Sequence, residues 1–207
     1  MAFTSFKNIG EVLKKYQLKV KRANFVRFSP LQVAPDILKS EILFSLEEGQ
    51  YKHSETAICE QLIHPILRDL WRSHFLKEML LWSHTQFAVN ETLTGIPDYV
   101  FAQRTEYENE VLEAPVFLMV EAKKDNFDEA WGQCAAEMVA AQLVNSNKEL
   151  TVYGVVTNGK VWEFAALKNN IFTKNKDYID VKDLDKLYSA LLSILEDCKN
   201  QFISVIS

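Results

Sequence analysis

The sequence predicts an α/β protein built as one domain, residues 1–207, around a central mixed β-sheet flanked by helices. Three observations carry this. The hydrophobic period changes from helical to extended near residue 80, returns to helical near 127 and becomes extended again near 150. The run Val116-Phe117-Leu118-Met119-Val120 is continuously apolar, as a strand covered on both faces requires. Asn158-Gly159 separates two apolar stretches, a strong local hairpin signal, and suits a two-residue type I′ turn.

Taken in order, Phe6, Ile9, Val12 and Leu13 fall at helical spacing over residues 6–16, and residues 18–28 alternate apolar with basic side chains like a strand. Pro30 and Pro35 break the next segment. Pro35-Asp36 opens a helix carrying Ile37, Leu38, Ile42 and Leu43, which Gly49 ends. Residues 1–50 thus read as an N-terminal extension layered on the core. Ser54 is the expected N-cap of a helix bearing Ile58, Cys59, Leu62, Ile63, Ile66, Leu67, Leu70 and Trp71. Pro65 predicts a kink or break near His64, with a continuation over 75–81. Strands are expected at 80–89, 97–103 and 116–120, the last two separated by a polar, acidic connection at 105–113. Asp125-Asn126 caps a helix over 127–144, in which Phe127, Trp131, Cys134, Ala135, Met138 and Gln142 make one stripe while Ala136, Ala140 and Ala141 keep the other sides small, so close packing on several sides is expected. Strands at 150–156, 161–167 and 171–173 follow, then a closing helix at 184–202.

A 207-residue chain with 48% hydrophobic and 25% charged residues is ordinary for one well-buried globular domain. No apolar run approaches the roughly 18 residues that span a membrane, and residues 1–7 lack the features of a signal peptide. A cytoplasmic location without membrane partners is the expectation. Cys59, Cys134 and Cys198 are odd in number and far apart, so they read as buried free thiols. The net charge of −5 argues against avid nucleic-acid binding, yet its distribution is uneven. Residues 1–27 carry seven basic side chains against Glu11, a local +6 that leaves −11 for the rest. Such a basic arm suits either a phosphate backbone or an ordinary solvated face.

The chemistry concentrates at two strand ends. Asp98 follows Pro97 at the start of one apolar run, and Glu121 and Lys123 close the next. Residues i and i+2 of a strand share a face, so Glu121 and Lys123 stand together, and Asp98 joins them if the two strands pair. Ionised groups closing so apolar a strand are costly unless partnered. Phosphodiester cleavage needs an aligned water, charge neutralisation at phosphorus and a stabilised leaving oxygen. Mg²⁺ prefers carboxylates and water, so Asp98 and Glu121 are the expected metal ligands, with Lys123 orienting or deprotonating the water or holding the phosphate.

The element order helix, strand, strand, strand, helix, strand, with Pro97-Asp98 and Glu121-Ala122-Lys123 where they stand, resembles the PD-(D/E)xK nuclease superfamily over residues 54–167. The segment from Ser54-Glu55 to Leu62-Ile63-His64-Pro65-Ile66-Leu67 and the hairpin 152–164 are similar to the N-terminal nuclease domain of type I restriction enzyme R subunits. The resemblance implies a restriction-endonuclease-like core in αβββαβ order. It also implies a Mg²⁺-dependent hydrolase of DNA, with Mn²⁺ as a substitute. By the same resemblance the Ala122 backbone carbonyl is a third metal ligand. A helix glutamate, Glu55 or alternatively Glu60, joins the site, and Gln133 contacts phosphate or water. A packed Phe127-Trp131-Cys134-Met138 stripe would turn Gln133 away from that site. A homodimer or a partner subunit is compatible with double-strand cutting. The rival expectation is a catalytically silent module on the same fold, binding nucleic acid or a partner protein in a defence or mobile-element system. The four histidines lack metal-site spacing and read as structural, and Trp131 and Trp162 read as core.

Overall fold

The computed structural model describes residues 2–107 and 109–206 and the side chains up to residue 201. Met1, Glu108 and Ser207, which the readings of 1–7, 105–113 and the domain include, lie outside the described residues. The chain forms α1 (Ile9–Lys15), β1 (Lys19–Arg22), α2 (Asp36–Glu48), α3 (Glu55–Ile58), α4 (His64–Leu70), β2 (Met79–Ser83), β3 (Phe87–Ala88), β4 (Thr94–Gly95), β5 (Tyr99–Gln103) and β6 (Val116–Ala122). It continues through α5 (Phe127–Val144), β7 (Val152–Thr157), β8 (Val161–Lys168), β9 (Ile171–Lys174), β10 (Ile179–Asp180) and α6 (Leu184–Ile206). The main mixed sheet runs β1-β9-β8-β7-β6-β5-β2, with β10 added to β8, while β3 and β4 form a separate pair. Strands β2, β5 and β6 make an antiparallel meander, and α5 then crosses over so that β7 lies parallel to β6.

Every residue of β6 is buried, as its apolar run predicts for a central strand. One sheet face packs Leu118, Val120 and Tyr99 against α2, α3, α4 and α6. The other packs Val100, Met119, Val152 and Val156 against α5 and α1. The result is a helix–sheet–helix sandwich. Near its N-terminus the chain is bound closely to the core. Phe3, Phe6 and Val12 are buried in the α5-side cluster. A Cβ at Gly132 would come 2.6 Å from the Phe6 carbonyl, so glycine lets this segment lie directly on α5.

Several expectations shift in detail. The strand read at 18–28 shortens to β1, an exposed edge strand paired in parallel with β9. The 6–16 helix begins only at Ile9, where the Asn8 side chain accepts from the Glu11 N–H. Pro65 does not break its helix. A π-helical turn, Cys59–Ile63, precedes it, and the wider turn accommodates a residue that cannot donate. Helical winding ends at Phe75, and residues 79–83 are already strand β2. The strand read at 80–89 is interrupted by His84, whose φ of 47° lies in the left-handed region. The hairpin at Asn158-Gly159 is not the two-residue type I′ turn. The last pair is Thr157 with Trp162, and Asn158 is absent from the residues with positive φ. Asn158 Oδ1 instead accepts from the Lys160 and Val161 N–H groups, and Gly159 alone takes the left-handed region at φ 81°. The two-residue hairpin is the next one, Asn169-Asn170, with Asn169 at φ 56°.

Candidate active site

Strand register builds the site. Tyr99 pairs with Val120 in the antiparallel β5–β6 ladder, so extending the register by one residue sets Asp98 opposite Glu121. Met119 faces α5, hence Glu121, two residues along β6, faces α5 as well, while Asp98, just before β5, turns along the sheet edge toward Ala122. Asp98 Oδ2 accepts a 2.7 Å hydrogen bond from the Ala122 N–H. The N–H and C=O of an extended residue point to the same side, so the Ala122 carbonyl faces the edge that Asp98 occupies. The neighbouring Lys123 N–H points the other way, donating to the Thr157 carbonyl at 2.9 Å. Burial is the main influence raising the Asp98 carboxyl above its ordinary pKa, opposed by the Ala122 N–H and by His84.

Glu121 is 3% exposed, and its Oε2 has no hydrogen-bond partner among the described residues. Above it stands a residue absent from the sequence-derived set. Glu137 of α5 is fully buried, and its Oε2 is likewise unpartnered. Its other oxygen accepts from Gln133 Nε2 at 3.3 Å, one helical turn away. Burial pushes both glutamates well above the usual carboxylate range. Each is raised further by like charge, Glu121 by Glu137 and Asp98, and Glu137 by Asp98. The stripe argument that would turn Gln133 away therefore fails. Residues 130–142 of α5 are buried on all sides, between the sheet and the segment containing Phe3, Phe6 and α1. No polar face remains on which to sort them, and Gln133 sits with the carboxylates. The Gln133-x₃-Glu137 spacing inside an alanine-rich helix was the available signal for Glu137.

Lys123 and Glu55 complete the outer wall. Lys123 Nζ lies 3.5 Å from Glu55 Oε2, and the Lys124 N–H reaches Glu55 Oε1 at 3.5 Å. Glu55 is carried there by the first turn of α3, where Ser54 Oγ accepts from the Ala57 N–H. Glu60 opens instead onto grooves shared with Glu41 of α2. The structure thus brings Asp98, Glu121, Ala122, Lys123, Glu55 and Gln133 to one end of the sheet, and places Glu60 on another side.

The second oxygen of Asp98 meets residues that sequence reasoning set aside. Asp98 Oδ1 lies 3.3 Å from His84 Nδ1, and the His84 N–H donates to the Asp98 carbonyl at 2.9 Å. Ligand atoms of Cys59, His84 and Asp98 all lie within 4.8 Å of one another. Cys59, Cys134 and Cys198 are all buried and free.

The donor set around Glu121 fits a hard divalent cation. Three buried or half-buried carboxylates and a backbone carbonyl are the oxygen ligands that Mg²⁺ prefers, and two buried carboxylate oxygens there lack any partner. Among the described residues no helix is long and apolar enough to cross a membrane. No family model and no curated protein matches the chain.

Proposed function

We propose that the chain is a Mg²⁺-dependent nuclease of restriction-endonuclease-like fold that hydrolyses phosphodiester bonds in DNA. The observation that carries this reading is the 2.7 Å contact between the Ala122 N–H and Asp98, which holds one acid against the Glu121-Ala122-Lys123 strand end. The β2–β5–β6 meander, the α5 crossover and the parallel β7 support this reading of the core. Asp98, Glu121 and the Ala122 carbonyl would hold Mg²⁺, with Mn²⁺ as a substitute. Bound there, the ion would polarise the phosphodiester and lower the pKa of a water. Lys123 orients or deprotonates the attacking water or grips a phosphate oxygen, and Glu55 holds the Lys123 ammonium in place. Gln133 steers the Glu137 carboxylate. Strand β1, with its exposed Lys19, Lys21 and Arg22, offers a basic edge to the DNA backbone. Double-strand cutting would take a homodimer or a partner subunit.

The test is cleavage of plasmid, linear and branched DNA and of RNA in Mg²⁺ and Mn²⁺. The expectation is cutting by the wild-type chain, and a loss of at least about a hundredfold in Asp98→Ala, Glu121→Ala and Lys123→Ala variants that keep the native circular dichroism. A wild-type chain that leaves every substrate intact overturns the proposal. The alternative is a catalytically silent module that binds nucleic acid or a partner protein. It is favoured by the net charge of −5 and by Ile37, Leu43 and Phe44 standing exposed on α2. Metal-independent DNA binding without cleavage would select it.

A further inference from the structure

We infer that Cys59, His84 and Asp98 form a site for a thiophilic divalent cation of the Zn²⁺ or Co²⁺ type, separate from the carboxylate centre at Glu121. Their ligand atoms already lie within 4.8 Å of one another. Tetrahedral zinc, with bonds of about 2.0–2.3 Å, sets ligand atoms about 3.5 Å apart, so closure asks for roughly one ångström of movement. The His84 to Asp98 edge, at 3.3 Å, is already there.

The donor types decide the metal. A thiolate, an imidazole and one carboxylate make a soft-to-borderline set that suits zinc and disfavours Mg²⁺. Three protein ligands leave a fourth position open to water or substrate, the pattern of a reactive rather than a closed structural zinc site. On binding, the Cys59 S–H proton leaves to solvent and a metal–sulfur bond forms, with no change of oxidation state.

The scaffold holds the three donors from different elements. Cys59 opens the π-helical turn after α3 and is 1% exposed. Its hydrogen-bonded neighbour Tyr99 packs against the His84 ring at 5.7 Å, tilted by 48°, and forms the wall between them. His84 adopts a left-handed backbone, at φ 47°, that a histidine takes only at a steric cost. Its side chain is 47% exposed, which leaves the ring free to swing toward Cys59 and gives an ion a way in. Ala122 holds Asp98 through Oδ2 while Oδ1 faces His84, so the two oxygens of one carboxylate serve two sites. A cation at Cys59 and His84 would therefore draw Asp98 away from the proposed Mg²⁺ centre. That consequence rests on the nuclease reading; the site itself does not.

Co²⁺ titration of the full chain, followed by absorption, tests the site without any cleavage assay. The expected result is a thiolate-to-metal charge-transfer band in the near ultraviolet with tetrahedral d–d bands in the visible, displaced by Zn²⁺. Both should vanish in Cys59→Ser and weaken at least about tenfold in affinity in His84→Gln, in line with loss of a ligand. His84→Gln alters a half-exposed turn and keeps the question answerable if Cys59→Ser does not fold. Both bands should persist in Glu121→Ala. Absence of the band in wild type, its survival in Cys59→Ser, unchanged affinity in His84→Gln or its loss in Glu121→Ala would each overturn the inference. A chain that cuts no nucleic acid yet gives the band keeps this site and loses only the nuclease.

Discussion

Two carboxylate clusters lie in one cross-strand row beneath α5, and they are built in opposite ways. Glu121 of β6 pairs with Val156 of β7, which pairs with Glu163 of β8. Glu163 is matched by donors at its Oε2. It accepts from Trp131 Nε1 at 2.6 Å and meets Lys174 Nζ at 2.8 Å, with 27% of its side chain exposed. Glu121, two strands away, faces Glu137, and each has a buried oxygen without a partner among the described residues. A carboxylate kept for stability acquires donors, since an unmatched buried polar group costs about 1–3 kcal/mol. Two buried acids without donors instead disfavour ionisation, through burial and like charge. The contrast sets a glutamate matched by donors against two that are not.

The comparison makes predictions of opposite sign. Glu163→Ala should lower unfolding free energy by about 1–3 kcal/mol, because it strands the Trp131 indole N–H and the Lys174 ammonium. Glu137→Gln should raise it by a similar amount at alkaline pH without divalent metal, because it removes a buried acid whose ionised form burial and like charge disfavour. Urea unfolding midpoints measure both, and a destabilised Glu137→Gln would erase the distinction.

pH sharpens the contrast. Glu121 and Glu137 have folded-state pKa values raised above the ordinary 4.5. Between 4.5 and the raised values the folded chain holds more protons than the unfolded one, so stability falls as pH rises through that window. The penalty is absent below 4.5 and complete above the raised values. Each retained proton contributes up to about 1.4 kcal/mol per pH unit. Thermal unfolding of the metal-free chain from pH 5 to pH 8 should show the decline, Glu137→Gln should flatten it and saturating Mg²⁺ should oppose it.

A smaller effect separates the two helix glutamates. Glu55→Ala should reduce cleavage about tenfold by freeing Lys123, as loss of a supporting partner typically does, whereas Glu60→Ala should leave the rate within about twofold. Parallel rate measurements decide this, and equal losses would remove the assigned role of the Glu55–Lys123 pair. Smallest of all, Gly159→Ala should cost about 1 kcal/mol, since its φ is 81° and a Cβ would meet Leu62 at 2.7 Å. A midpoint unchanged from wild type would show that the hairpin relaxes away from the helix.

Local chemistry made much of this architecture legible. The continuous apolar run announced the central strand, Ser54 and Asn126 marked helix starts that the structure caps with their side chains, and Pro97-Asp98 stood directly before a strand. Asp98, Glu121 and Lys123 were readable because their strand ends carry charge where burial is otherwise complete. Glu137 was overlooked because α5 is buried all round, so an amphipathic reading had no wet face to exclude it from. His84 and Cys59 were set aside because their separation in sequence matches no ligand spacing, and a left-handed residue between strands leaves no periodic trace.

By itself, then, the sequence determined the central strands and the main helices and which strand ends carry acid and base, since hydrophobic period, capping residues and burial cost act over a few neighbouring residues. Only the tertiary structure decided that Asp98 locks onto the Ala122 N–H, that Glu55 rather than Glu60 reaches Lys123, that Glu137 faces Glu121 and that Cys59 and His84 gather at Asp98. Those are matters of ladder register and of the depth to which one helix settles on a sheet, and they depend on packing between residues far apart in the chain.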